Sequence, residues 1–131
     1  MTEKLGYRES AFLIIFENMF LNQDIEEVFE TAVELENIDL GSKTRKLVKN
    51  VIDNSNDIND TIQRFSETRA FSRIPRLNVA VISIGVCEIL YDEKIPTNVA
   101  ISEAVKIVRK YGQENDVKFV NGVLGAFSRS L

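Results

Sequence analysis

The sequence contains no histidine and no tryptophan, and it has one cysteine and two prolines in 131 residues. Without histidine, the chain has no Ser-His-Asp triad, no histidine-ligated zinc site and no histidine acid or base. The single cysteine, Cys87, forms no disulfide within the chain, which fits a reducing compartment. Few prolines and only six glycines disfavour a turn-rich sandwich or barrel and favour long helices.

Long apolar runs are also missing. The longest, Ala11–Phe16, is far shorter than the ~20 residues that a membrane-spanning helix needs. The N-terminus lacks the basic start and apolar stretch of a signal peptide. We therefore expect a soluble cytoplasmic protein with no membrane partner.

Basic charge is scarce in one half of the chain. The net charge is −4, and residues 17–39 hold eight acidic side chains and no basic one. An acidic average argues against a nucleic-acid binder. However, residues 1–71 hold 8 basic and 14 acidic side chains, whereas residues 72–131 hold 8 basic and 6 acidic ones. The distribution of charge therefore matters more than its total.

Apolar residues recur at helical spacing along the whole chain, and no alternating strand pattern is found. The pattern predicts an all-α fold of about seven helices, with a seam near residues 66–76. The predicted helices cover residues 7–20, 25–36, 43–53, 58–67, 76–91, 95–111 and the segment after 116. Asp24, Ser42 and Asp116 are the predicted N-caps.

The segment from 76 to 91 is apolar nearly all round and is predicted to be the central helix. Gly85 allows a neighbouring helix to approach closely, and Cys87 is expected to be a buried, inert thiol. Asn121 is expected to bond to a neighbouring helix or loop, and Gly122 is expected to pack closely against that neighbour.

No cluster of side chains suits catalysis. Without histidine, the available acids and bases are carboxylates, lysines, tyrosines and Cys87, and none has a credible partner nearby in sequence. Glu30 and Glu34 lie one turn apart, which is typical of a solvated acidic face. We expect no enzymatic activity, no metal and no cofactor.

Three blocks in the C-terminal third carry a family resemblance. They are Ile95–Val105, Lys110–Gly112 and the sequence Lys-Phe-Val-Asn-Gly-Val-Leu at residues 118–124. Together they resemble the NusB family of transcription antitermination factors. Arg8-Glu9 followed by Ala11 is similar to the end of that family's N-terminal motif. The resemblance is specific over residues 74–131, and residues 1–73 agree mainly in pattern.

The resemblance implies two small lobes of bundled helices, about 1–68 and 74–131. It also implies a non-catalytic factor with two partners. One is a single-stranded, boxA-type element of nascent ribosomal RNA transcripts, and the other is the small-subunit ribosomal protein that acts as NusE. The assembly would join the RNA polymerase antitermination complex. The implied RNA-binding residues are Lys4, Arg8, Arg69, Lys118 and Phe119, because such RNA requires cations for phosphates and flat groups for unpaired bases.

The residues that would contact the protein partner are Arg73, Arg76 and Asn78. For Arg73 and Arg76, the alternative is an extension of the RNA-binding surface. For Phe119, a core position is the alternative to a platform for a base, and for each single cation the alternative is a solvated surface charge. The oligomeric state is left open, including a homodimer through apolar helices.

The N-terminal motif departs from the family pattern, because residues 4–8 contain two cations where several arginines are usual. Ser83 also stands where an arginine is common. A second hypothesis is therefore a protein-interaction module of the same fold with weakened or lost RNA binding. A third is the RNA-recruiting domain of an RNA-modifying methyltransferase, detached from its catalytic domain.

Overall fold

A computed structural model describes residues 4–66 and 69–131 of the protein. These two ranges contain seven α-helices, one short 3₁₀ helix and no strand. The predicted all-α fold is therefore confirmed. The helices are α1 (Tyr7–Leu21), α2 (Ile25–Ala32), α3 (Ser42–Asp53), α4 (Ser55–Phe65), α5 (Arg76–Tyr91), α6 (Thr97–Tyr111) and α7 (Glu114–Arg129), with the 3₁₀ helix Phe71–Arg73 before α5.

Helix α5 is the centre of the fold. It contacts α1, α3, α4, α6 and α7, and every residue from Asn78 to Glu88 is buried. A helix enclosed on all sides needs the nearly continuous apolar sequence that predicted its position. At Gly85, a Cβ atom would lie 2.9 Å from both methyl groups of Leu124. The predicted close approach at Gly85 is confirmed, and α7 is the helix that approaches.

The two predicted lobes are not separate in their contacts, because α5 packs against helices on both sides of the predicted seam. The division into lobes at about residues 68 and 74 stays a prediction. In the described ranges, none of the helices combines the length and the apolarity that crossing a membrane requires.

Several helix boundaries differ from the prediction, and those of α2 and α4 have clear structural reasons. Helix α2 ends at Ala32, not at Glu36, because the chain turns and Asn37 adopts a left-handed conformation with φ 62°. This turn lets the Asp39 N–H donate to the Ser10 hydroxyl at 3.0 Å. Helix α4 begins at Ser55, three residues earlier than predicted, since only Asn54 separates it from α3.

One of the three predicted N-caps is confirmed. The Asp24 carboxylate accepts a hydrogen bond from the Glu27 N–H at 3.0 Å. Ser42 is instead the first residue of α3. Asp116 lies in the first turn of α7, where its carboxylate accepts the N–H of Gln113 at 2.9 Å. Gln113 is the N-cap, and the two residues form a capping box that satisfies N–H groups at the helix start.

Candidate RNA and protein interface

Arg69 and Phe119 lie against each other although 50 residues separate them. The guanidinium carbon of Arg69 is 4.7 Å from the centre of the Phe119 ring. Arg69 is exposed, whereas Phe119 is half-buried and packs against the core. The Phe119 ring contacts the core and also carries an exposed guanidinium, and its role as a platform for a base stays a prediction. Planar cations and aromatic rings are the groups on which unpaired bases stack.

The last turn of α4 holds the Arg69 main chain in place. The carbonyl oxygen of Arg69 accepts hydrogen bonds from the Ser66 hydroxyl at 3.0 Å and from the Gln63 side-chain amide at 3.3 Å. The side-chain oxygen of Gln63 accepts a hydrogen bond from the Phe71 N–H at 2.7 Å. Sequence reasoning missed Gln63 and Ser66, since nothing in a local pattern marks a polar residue as an anchor for a later turn.

Lys118 is exposed on α7, immediately before Phe119. On the same helix Asn121 and Gly122 are also exposed, and a Cβ atom at Gly122 would meet nothing within 4 Å. The predicted close packing at Gly122 is therefore wrong. The predicted bond from Asn121 to a neighbouring helix or loop is also not found within the described ranges. Packing does not explain this stretch of α7, which presents an open surface next to Lys118.

The first turn of α1 is tied to α5 by a buried carboxylate. Glu88 is only 3% exposed, and its two oxygens accept hydrogen bonds from Arg8 Nε at 2.7 Å and from the Tyr7 hydroxyl at 3.0 Å. The Arg8 side chain is 19% exposed. Burial and the neighbouring Glu88 carboxylate raise the pKa of Tyr7 to about 12. Arg8 thus neutralises a buried acid, which reduces the positive charge it offers to a phosphate.

Lys4 is exposed just before this turn. The following N–H, that of Leu5, donates to the Asn37 carbonyl at 2.8 Å and holds the segment beside the loop that leads to α3. On the other side of α1, Glu9 accepts hydrogen bonds from Lys110 and Tyr111 at the end of α6. Cationic side chains from α6 therefore lie close to the start of α1.

The predicted RNA-binding residues fall into two groups. Glu88 of α5 holds Arg8, whereas Asn78 of α5 is bonded to Asp116 in the first turn of α7. These two α5 positions are ten residues apart, which is about 15 Å along a helix axis. Lys4 and Arg8 thus form one group at the start of α1, and Arg69, Lys118 and Phe119 form a second group. The end of α6, which holds Glu9 and leads into α7, lies between them.

A cleft of about 840 Å³ lies between α1, α3, the start of α4 and the segment 71–83. Arg73 and Arg76, which were predicted to contact a protein partner, are exposed and line this cleft. The Arg76 guanidinium lies 4.9 Å from the centre of the Phe20 ring, which is 59% exposed. The apolar side chains that also line the cleft are Ile15, Met19, Val51, Ile52, Phe71, Ile74 and Val79. Apolar walls with arginine and an exposed aromatic ring are typical of protein-binding surfaces.

Asn78 does not lie on this surface. It is 0% exposed, and its amide donates to Asp116 Oδ1 at 3.1 Å. Its own oxygen is buried without a hydrogen-bond partner in the described residues. The Asn78 side chain lies inside the molecule, where it joins α5 to the capping box of α7. Its position does not support a contact with a protein partner, which stays a prediction.

Comparison with known proteins matches this arrangement to one family. Residues 6–129 match the model of the NusB family. The chain is 33% identical to the transcription antitermination protein NusB of Pseudothermotoga lettingae, over 100% of this chain and 94% of that protein. It is 36% identical to NusB of Oceanobacillus iheyensis, over 89% of this chain and 91% of that protein.

Solved structures agree in fold over nearly the whole chain. A T. maritima NusB structure superposes with a TM-score of 0.82 at 30% identity, over 96% of this chain and 92% of the other. A second structure is that of antitermination factors NusB and NusE in complex with double-stranded RNA. It superposes with a TM-score of 0.84 at 26% identity, over 96% of both chains. Given the match along the whole chain and the shared helical architecture, the protein belongs to the NusB family.

Proposed function

We propose that this protein is a non-catalytic transcription antitermination factor that binds boxA-type single-stranded RNA together with the ribosomal protein that acts as NusE. The observation that carries the proposal is the exposed Arg69 guanidinium on the Phe119 ring, with Lys118 beside it. A planar cation, an aromatic ring and a lysine supply stacking and phosphate neutralisation in one place. The relatives named above are antitermination proteins, and one of them is seen with NusE and RNA.

An unpaired RNA is the preferred ligand on physical grounds. In an A-form duplex the bases are stacked on one another and the major groove is too narrow for side chains, so Phe119 has no base to stack on. The related complex contains double-stranded RNA. The same boxA-like sequence in duplex form is therefore the informative control for this protein.

The cleft beside α1 and α5 is the proposed docking surface for the NusE-type partner. Arg73 and Arg76 would pair with acidic groups of that partner, and the apolar walls and Phe20 would be covered by it. This surface lies on different elements from Phe119 and Lys118, so the protein can hold both partners at once. The resulting complex would join RNA polymerase during transcription of ribosomal RNA in the cytoplasm.

The test is fluorescence anisotropy of a labelled boxA-like RNA at low and physiological salt, with and without the NusE-type ribosomal protein. We expect the affinity for single-stranded RNA to rise when the ribosomal protein is added, because the composite surface supplies further contacts. Affinity should fall steeply with salt. Equal affinity with and without the ribosomal protein, or preference for the duplex, would contradict the proposal.

A second candidate function is a protein-interaction module of this family with weakened RNA binding. It is favoured by one observation, which is that Arg8 forms an ion pair with the buried Glu88 and so offers less positive charge to RNA. Under this alternative the ribosomal protein binds at physiological salt, while boxA-like RNA shows no binding above a scrambled sequence. The same anisotropy series, with size-exclusion chromatography of the protein pair, separates the two functions.

A further inference from the structure

A small depression lies between the first turn of α1 and the middle of α6. Its volume is about 220 Å³, and it is lined by residues 6–9 on one side and by Glu103, Lys106 and Ile107 on the other. Pockets that enclose drug-sized molecules measure roughly 300–1,000 Å³. The depression is therefore of a size for one flat ring and not for a large ligand.

The Tyr7 ring forms part of this depression and is held in a fixed position. Its hydroxyl donates to Glu88, which is itself buried in α5. A phenol with a pKa of about 12 stays neutral at all physiological pH values. An aromatic ring that is already immobilised loses little conformational entropy when a ligand stacks on it.

Two cations lie over the Tyr7 ring. The Arg8 guanidinium carbon is 4.7 Å from the ring centre, and the Lys43 ammonium is 5.6 Å from it. Arg8 is fixed by Glu88, whereas Lys43 is an exposed, flexible side chain at the start of α3. An exposed cation–π contact is weak. A stacking base can therefore displace the Lys43 ammonium from the ring, and a phosphate beside that base can then take it up.

Most of the acidic side chains around the depression form ion pairs. Glu88 is paired with Arg8, Glu103 lies 3.4 Å from Lys106, and Glu9 lies 2.6 Å from Lys110. Asp92 is a further acid whose charge acts on Tyr7. Within the described ranges, no carboxylate lies within 4 Å of Lys43. The first turn of α1 thus lies near lysines of α3 and α6, which add positive charge to that of the N-terminal segment.

We infer that Tyr7 is a second stacking platform for an unpaired base of the RNA, with Lys43 and Lys106 as contacts for the adjacent phosphates. This inference rests on the proposed function and adds a subsite to it. The platform lies at the start of α1, about 15 Å along α5 from the end of that helix where Asn78 meets α7. One single strand that follows the end of α6 would occupy both platforms.

The test compares two variants that lose the same hydrogen bond. Both Tyr7→Phe and Tyr7→Leu remove the hydroxyl that donates to Glu88, but only Tyr7→Phe keeps the ring. We expect Tyr7→Leu to weaken binding of single-stranded boxA-like RNA at least about fivefold relative to Tyr7→Phe. Circular dichroism and urea unfolding confirm that both variants are folded, so a difference in affinity reports the ring alone.

The phosphate contacts have a matched control. Lys106→Gln should reduce the slope of log affinity against log salt by about 0.7, the value for one phosphate contact with a single strand. Lys49→Gln removes the same charge from another exposed lysine that is also paired with an acid, Asp53, and should leave the slope unchanged. If the two variants behave alike, Lys106 has no role in RNA binding.

Photo-crosslinking gives an independent measurement on the wild-type protein. With 5-iodouridine in the RNA, the tryptic peptide of residues 5–8, which contains Tyr7, should carry the crosslinked nucleotide. Equal affinities of Tyr7→Leu and Tyr7→Phe, together with crosslinks confined to α7, would overturn the subsite while leaving the proposed function intact. If the wild-type protein binds no single-stranded RNA, with or without its ribosomal partner, both the subsite and the proposed function are rejected.

Discussion

Glu88 and Arg8 form an ion pair across 80 residues of sequence, with 2.7 Å between Arg8 Nε and Glu88 Oε1. The carboxylate is buried in the central helix, and the guanidinium comes from the first turn of α1. Because a buried carboxylate is costly unless it is paired, this contact fixes where α1 begins relative to α5. It also means that Arg8 has a structural task besides any contact with RNA.

Loss of Arg8 should therefore destabilise the protein. We expect Arg8→Ala to lower the free energy of unfolding by about 2–3 kcal/mol, because it leaves the Glu88 charge buried with Tyr7 as its remaining donor. Urea denaturation followed by circular dichroism measures this loss.

The double variant Arg8→Met with Glu88→Leu should recover much of the stability, since it removes the charge together with its partner. Lys49→Ala, which breaks an exposed pair with Asp53, should change stability by no more than about 0.5 kcal/mol. If Arg8→Ala proves as mild as Lys49→Ala, the buried pair does not stabilise the position of α1.

Replacing Gly85 and Gly122 with alanine should change the free energy of unfolding in opposite directions. Gly85→Ala puts a Cβ atom 2.9 Å from both Leu124 methyl groups, and Leu124 is fully buried. We expect this change to lower the free energy of unfolding by about 1–2 kcal/mol. Gly122→Ala meets open space on an exposed helix face and should raise it by about 0.5–1 kcal/mol.

Thermal and urea unfolding of the two single variants check this pair. Similar changes in both would show that α7 does not approach α5 at Gly85 in solution. If Gly122→Ala stabilises the fold but weakens RNA binding, the open surface beside Lys118 takes part in recognition.

Stability should fall at alkaline pH. Burial, with the nearby Glu88 charge, raises the pKa of Cys87 from 9.0 and that of Tyr7 from 10.0, each to about 12. Between about pH 9 and pH 12, Cys87 and Tyr7 have lost their protons in the unfolded chain but still hold them in the folded chain. The stability that these two groups contribute is therefore fully present below this range and is lost as pH rises through it. Urea denaturation at pH 8, 9.5 and 10.5 should show the decline, and Tyr7→Phe should make it shallower above pH 10.

The Cys87 thiol should also be unreactive at pH 8 in the folded protein. Because the reactive species is the thiolate, burial and the raised pKa both protect it. A thiol-specific chromogenic reagent should react at least about tenfold more slowly with the native protein than with the urea-unfolded chain. Equal rates would place Cys87 on the surface.

Lys118 and Phe119 should affect RNA binding in different ways. Lys118→Gln should reduce the salt slope by about 0.7 and weaken binding to all sequences alike. Phe119→Leu should leave the slope unchanged and lower the affinity about fivefold or more, because it removes a stacking surface. Anisotropy titrations at three salt concentrations distinguish the two effects, and a change in slope for Phe119→Leu would contradict the stacking role.

The helices were largely predictable because burial repeats every 3.6 residues. Both ends of helix α5, with its apolar sequence, were predicted correctly, as were the start of α1 and the end of α3. The apolar spacing predicted the wrong helix end where it continued across a turn. Val33 and Leu35 extend the apolar stripe of α2, but the helix stops at Ala32 so that the loop can reach Ser10. Which residue supplies a cap depends on backbone geometry that no periodicity encodes, as at Gln113.

The site was less predictable, since its key contacts join distant segments. The family resemblance pointed to Arg69 and Phe119, but their stacking could not be derived from spacing. Nor could the burial of Asn78, because a polar residue at the start of a helix is more often exposed. Tyr7 lies between the predicted cations Lys4 and Arg8, but no sequence pattern marks it, because its fixed position depends on Glu88, 81 residues away.

The Ser66 and Gln63 bonds to the Arg69 carbonyl have a consequence for the speed of recognition. A main chain that is already anchored needs no slow rearrangement before RNA arrives. Encounter with RNA should then be limited by diffusion and by the charge that guides the strand, so differences between RNA sequences should appear mainly in how long each complex survives.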